Sequence, residues 1–116
     1  MNQSLEELLA SLKFNSDGLI VAIAQEQSTK RVLMQAWMSR ESIIKTLQTG
    51  KVTYFSRSRS AIWVKGETSG NTQDLVSLSS DCDGDSLLIV VNQKGAACHS
   101  GEVSCFDSGI GLERQS

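Results

Sequence analysis

The sequence predicts an α+β domain of two helices and about six short strands, mainly antiparallel. Three observations carry that prediction. Two segments place apolar residues at helical spacing behind cap residues. Six short runs, several rich in β-branched residues, are separated by polar or glycine-containing turns. The chain has 116 residues, 40% of them apolar and 21% charged. That is a common size for one domain and buries roughly 65% of the unfolded surface, enough for one core. Disorder as the main state is excluded by the same composition. One domain over 1–107 is expected, with 108–116 as a frayed tail carrying two glycines and few apolar residues.

Ser4-Leu5-Glu6-Glu7 reads as a capping box, with Ser4 accepting from a first-turn amide and Glu7 reaching back. Leu5, Leu8, Leu9 and Leu12 then share one helical face. The turn cluster Asn15-Ser16-Asp17-Gly18 ends that helix. Leu19 to Ala24 is an apolar, β-branched run and reads as a buried strand; Gln25 to Lys30 is a polar hairpin loop, and Arg31 to Trp37 the returning strand. Ser39 caps a second helix, with Glu41 in its first turn and Ile43, Ile44 and Leu47 on its buried face. Gly50 supplies the left-handed position beyond its end. Strands follow at Lys51 to Ser56 and Ala61 to Lys65, flanking Arg57-Ser58-Arg59-Ser60. Gly66 to Thr72 is a polar loop. Asp74 to Ser80 and Ser86 to Asn92 are two more strands, around Asp81-Cys82-Asp83-Gly84-Asp85. Lys94-Gly95 turns the chain into a cysteine-bearing stretch, Cys98 to Phe106. Edges are many for so small a sheet, and pairing one with a second copy would cover them.

Eleven basic residues stand against 13 acidic ones, a net charge of −2, so a broad basic surface for nucleic acid is excluded. The longest apolar run, Leu87 to Val91, is strand-sized and far short of a membrane span. The first residues lack the basic start and apolar stretch of a signal peptide, so a cytoplasmic location is expected. Proline is absent. Cysteine occurs three times, an odd count confined to 82–105, which suits a metal or a reactive thiol better than a disulfide framework. His99 is the one histidine, so any imidazole chemistry belongs to it.

Cys82, Cys98 and Cys105 are separated by 15 and then 6 residues, unlike the paired knuckles of a closed zinc ribbon. Three thiolates without a fourth soft ligand suit an open zinc site with water in the last position. The alternative is three small buried core residues. His99, beside Cys98, suits either a ligand or a general base. Asp81, Asp83 and Asp85 alternate, so in an extended segment they share one side, where a hard cation such as Mg²⁺ offsets their repulsion. A solvated acidic turn is the alternative. Arg57, Arg59 and Lys65, with the loop Gly66-Glu67-Thr68-Ser69-Gly70, offer cations, hydroxyls and exposed amides suited to phosphate, against the plainer reading of a charged hairpin. A non-catalytic zinc module and a thiol redox protein are the competing functions; the latter lacks a C-x-x-C pair.

These segments in order resemble the phosphoribosyl-AMP cyclohydrolase family, in its monofunctional form. The resemblance runs through Trp37-Met38-Ser39, Tyr54 to Arg59, Trp63 to Gly70, Asp81 to Leu88, Ala97 to Gly101 and Ser104-Cys105-Phe106. Asn71 stands where many relatives carry histidine, which argues against an essential imidazole there. The resemblance implies a small, mainly antiparallel sheet or partial barrel with two helices, in an intertwined homodimer. It implies hydrolytic opening of the N1–C6 bond of phosphoribosyl-AMP, the third step of histidine biosynthesis. It also implies zinc on Cys82, Cys98 and Cys105, drawn from both chains, and Mg²⁺ on Asp81, Asp83 and Asp85. His99 is then the candidate proton carrier and Glu67 a second one. Arg57, Arg59 and Lys65, with Thr68, Ser69 and Gly70, would hold the substrate phosphates.

Overall fold

The computed structural model describes residues 4–115. Residues 1–3, on which the signal-peptide expectation partly rests, and Ser116, the last residue of the expected tail, lie outside them. The element order is α1 (Leu5–Ser11), β1 (Leu19–Glu26), β2 (Val32–Ser39), α2 (Arg40–Thr49), β3 (Thr53–Ser56), β4 (Ala61–Val64), β5 (Gln73–Ser80), β6 (Ser86–Gln93) and a final 3₁₀ turn, Cys105–Asp107. The α+β class is borne out.

Both helices begin at the expected serines. Ser4 and Glu7 form a reciprocal capping box, and Ser39 forms one with Ser42. Gly50 closes α2 with φ of 76°, a left-handed position that costs glycine little. One expectation fails on α2: Leu47 is exposed, and the buried face is Ser42, Ile43 and Thr46. The hydroxyls make this possible. Thr46 Oγ1 donates to Ser42 O at 2.8 Å and accepts from Thr53 N at 2.9 Å, so its burial leaves no polar atom unpaired.

The six strands form one sheet in the order β4-β3-β2-β1-β6-β5. Four of the five pairings are antiparallel; β1 and β6 run parallel, in the register Val21 opposite Ser86. An isolated antiparallel bridge joins Lys51, just before β3, to Asp74 on the edge strand β5. Val52 N donates to Gln73 O and Leu75 N to Gly50 O alongside it. The sheet therefore curls until its β3 and β5 regions meet at one end, which gives the partial barrel. Ile20, Ala22, Leu33, Met38, Ile43, Val52, Tyr54, Leu87, Ile89 and Val91 fill its core. Residues 108–115 are exposed and form no helix or strand.

Candidate active site

Three groups of residues stand at the ends of strands, where the curl leaves turns free to carry chemistry. The first is a cleft of about 240 Å³ lined by Arg59, Trp63, Val64, Lys65, Gly66, Glu67, Thr68 and Ser69. Its floor is fixed by packing: Trp63 stacks on buried Tyr54 with ring centroids 5.3 Å apart. Its turn is fixed by a glycine. Gly66 has φ of 77°, and a Cβ there would lie 2.3 Å from the backbone carbon of Asn71. Gly70 N donates to Gly66 O at 2.7 Å, closing the turn and leaving Glu67, Thr68 and Ser69 exposed. Arg57 is placed elsewhere. Its guanidinium lies 5.2 Å over the Trp37 ring, and it lines a separate cleft with Asp17, Leu19, Phe55 and Ser60. Sequence proximity to Arg59 does not survive the β3–β4 turn.

The second group is the acidic segment between β5 and β6. It forms a tight turn, not the extended segment that alternation suggested. Asp81 Oδ1 accepts from the amides of Asp85 and Ser86, at 3.0 and 3.3 Å, and this Asx-type turn bends the chain. The carboxylates converge all the same: one oxygen each from Asp81, Asp83 and Asp85 lies within 4.8 Å of the others. Helix α1 buttresses the turn, because Lys13 N donates to Gly84 O at 2.7 Å. A Cβ at Gly84 would meet Ser11 O at 2.5 Å, so only glycine permits that approach.

The third group is the cysteine segment after β6. Ala97 N donates to Val103 O and Cys98 N to Glu102 O, both at 3.2 Å, forming a small hairpin. Ser104 anchors its far end. Its fully buried hydroxyl reaches Val32 O at 2.7 Å, and Phe106 N donates back to it. Cys98 and Cys105 are thereby held near enough that each shifts the titration of the other. Cys82, on the acidic turn, is exposed and does not join them; among the described residues the acidic trio is the one three-residue group close enough to share a metal. His99 is exposed next to Cys98.

The family model for phosphoribosyl-AMP cyclohydrolase matches residues 34–107, which contain all three groups. The chain belongs to the phosphoribosyl-AMP cyclohydrolase family. A relative of that name from Roseobacter denitrificans is 60% identical over 99 residues, covering 85% of this chain and 77% of its own. One from Granulibacter bethesdensis is 53% identical over 109 residues, covering 94% and 85%. One from Mycobacterium tuberculosis is 52% identical over 107 residues, covering 92% and 93%. The phosphoribosyl-AMP cyclohydrolases are hydrolases acting on a C–N bond, and this chain is an enzyme of that kind.

The electrostatics of this cyclohydrolase suit metal binding. The Cys98 thiol is lowered to about 7, first by the Ser100 hydroxyl, which donates to its sulfur at 3.1 Å, then by the Ser100 amide. Near neutral pH it is therefore substantially thiolate, the form that binds metal. Cys105 is pushed up by burial and by its neighbour Cys98. Two neighbouring thiols with one of them acidified are an incomplete soft-metal donor set, and the residues present fit zinc. In the acidic turn, the hydrogen bond that protonated Asp85 donates to Asp81, and the charge of Asp81, hold Asp85 above the ordinary carboxylate range. Asp81 is held low because hydrogen bonds from Asp85, Ser86 and Gly84 outweigh its desolvation. That oxygen cluster fits a hard cation. Ser100 and Ser104 carry functional weight that composition gave no reason to assign. Their positions between the cysteines were the available signal.

Proposed function

We propose that the protein is a zinc-dependent phosphoribosyl-AMP cyclohydrolase of the cytoplasm that catalyses the third step of histidine biosynthesis as a homodimer. The reading is carried by one observation: the matched span holds a phosphate-suited turn, an oxygen cluster and a cysteine pair with one thiol acidified. Cys98 and Cys105 of one chain, with Cys82 supplied by a second copy, would hold zinc; Asp81, Asp83 and Asp85 would hold Mg²⁺. When bound, the two ions supply a hydroxide nucleophile near neutral pH and a positive charge for phosphate oxygens.

The chain's own residues do the rest. Arg59 and the Thr68-Ser69-Gly70 turn bind phosphate through charge, hydroxyls and exposed amides. Arg57, stacked on Trp37, offers its fork to the second phosphate from the neighbouring cleft. The N1 ribosyl group disrupts the adenine π-system and leaves C6 electrophilic. Addition of water forms a C6–O bond; the N1–C6 bond then breaks, N1 takes a proton, and C6 ends as a carboxamide carbon. His99 moves protons in these steps, and exposed Glu67 is a second carrier. Closure by the partner subunit keeps other water out.

Purified protein supplied with Zn²⁺ and Mg²⁺ is expected to open the ring of phosphoribosyl-AMP, followed in the ultraviolet. Metal-loaded, folded protein that leaves the ring intact would overturn the reading and favour a non-catalytic zinc module. In the same assay, Cys82→Ser and Cys105→Ser chains, each inactive, are mixed and allowed to exchange. Random pairing puts half the population in heterodimers with one intact site of two, so about a quarter of wild-type activity returns. Proven heterodimers without activity would mean that each site is built within one chain.

A further inference from the structure

Lys65 joins the phosphate-suited cleft to the cysteine hairpin. It lines the cleft at the end of β4, yet its Nζ donates to Ala97 O at 2.6 Å, across 32 residues of sequence. Ala97 is only 2% exposed and packs in the core, and its carbonyl is the one immediately before Cys98. Ser104 ties the far end of the hairpin to β2, and Asp107, which accepts from Ser104 N, pairs with Arg31. Among the described residues no carboxylate pairs with Lys65, so its charge is not spent on an ion pair. The hydrogen bond to Ala97 O holds the ammonium at the peptide that leads directly into Cys98.

We propose that Lys65 is a positioning residue for the cysteine hairpin and not a phosphate ligand: it clamps the backbone at Ala97 and sets a positive charge at the entry to Cys98. A lysine is suited to this. Its compact ammonium has three donors on a flexible stem, so one holds the carbonyl while the charge remains at the entry to Cys98. Withdrawing the ammonium to a phosphate would leave the buried Ala97 carbonyl unpaired, which is costly. Groups that orient metal ligands from behind typically change metal affinity when removed, and Lys65 stands in that relation to Cys98.

The proposal rests on the zinc reading above, and its test reads zinc without substrate. Zinc affinity of the full chain is measured by competition with a chromogenic chelator for wild type, Lys65→Met, Lys65→Gln, Lys65→Arg and Arg59→Met. Lys65→Met keeps the stem and loses donor and charge; its zinc affinity is expected to fall roughly 10–100-fold. Lys65→Arg keeps charge and donors and should recover much of that loss. Lys65→Gln keeps a donor alone and should fall between. With zinc saturating, Lys65→Met should lower kcat with little change in KM, whereas Arg59→Met should raise KM and leave zinc affinity alone. Unchanged zinc affinity in folded Lys65→Met, with KM raised, would make Lys65 a phosphate ligand and overturn the proposal. If Lys65→Met does not fold, the charge series decides: Lys65→Gln equal to wild type in zinc affinity overturns it equally. Wild type that binds zinc but opens no ring leaves this comparison standing, so the two failures are separable.

Discussion

Removing one oxygen from the core tests whether the polar chain beneath the cleft is structural. Tyr54 is fully buried, and its hydroxyl donates to Gln73 Oε1 at 2.6 Å. Gln73 is fully buried as well; its Nε2 donates to Gln93 Oε1 at 2.9 Å, and Gln93 Nε2 in turn donates to Asn71 O at 3.1 Å. The chain thus runs from under Trp63 to the foot of the phosphate-suited turn. Tyr54→Phe keeps the ring, its packing and its stacking on Trp63. What it leaves is a buried amide oxygen without a donor. The cost is the desolvation penalty of that acceptor, about 1–3 kcal/mol, larger than the net worth of an ordinary hydrogen bond. A domain of this length loses roughly 4 °C in Tm per kcal/mol, so a fall of about 4–12 °C is expected. Thermal and urea unfolding followed by circular dichroism, at fixed protein concentration and without added metal, measure it. Repeating the change in a Gln73→Met background removes the acceptor, and the hydroxyl's loss should then cost much less, a coupling of about 1 kcal/mol or more. Equal costs in the two backgrounds would refute the reasoning.

Two further outcomes are expected. Glu26 accepts from Gln93 N at 2.9 Å and from Ser28, bonds that hold its carboxyl below the ordinary range, the Gln93 amide most of all. That contribution is complete above the unfolded Glu value and is lost as pH falls through the depressed native value. Glu26→Gln should therefore lower stability at pH 7, by roughly 1 kcal/mol or less given its exposure, and the gap should close as the solution is acidified below about pH 4. A gap that widens on acidification would reverse the assignment. Asp83→Asn should keep zinc content while raising the Mg²⁺ requirement, and His99→Asn should keep both metals while slowing ring opening roughly 10²–10⁴-fold. Metal analysis with kinetics across a Mg²⁺ titration checks both; zinc lost from Asp83→Asn, or from His99→Asn, assigns that residue to the wrong task.

Local chemistry was legible in the sequence and long-range pairing was not. The serine caps, Gly50 and the turn clusters act within a few residues of themselves, so both helices and six strands fall where the sequence placed them, shifted by a residue or two. The parallel pairing of β1 with β6 joins segments more than sixty residues apart and carries no local signal. Leu47 misled because Ser42 and Thr46 satisfy their hydroxyls internally and take the buried face that apolar spacing gave to leucine. In the site, Asp81, Asp83 and Asp85 converge by way of a turn, although their spacing had suggested a strand. Arg57 and Arg59 were grouped by closeness in sequence and are parted by the β3–β4 turn. The Lys65 contact with Ala97 depends on the whole curl of the sheet, and no spacing rule anticipates it.

On the proposed reading, the distribution of the thiols ties chemistry to assembly. Cys98 and Cys105 lie on one short hairpin, which one chain can hold rigid through Ser104 and the Ala97–Val103 pairing. Cys82 sits on the β5–β6 turn, held by Asp81 and buttressed at the end of α1, and among the described residues it does not group with the other two. Two thiolates make a weak zinc site; a third from a second copy makes a three-ligand site with one position open for chemistry. On the proposed reading, zinc then binds the paired state far better than the separated chains. Its binding energy is shared between affinity for metal and affinity between copies, and neither can be stated without the concentration of the other. On that reading a catalytic site divided this way is absent from unpaired chains, so open metal coordination arises only where the partner also encloses the substrate.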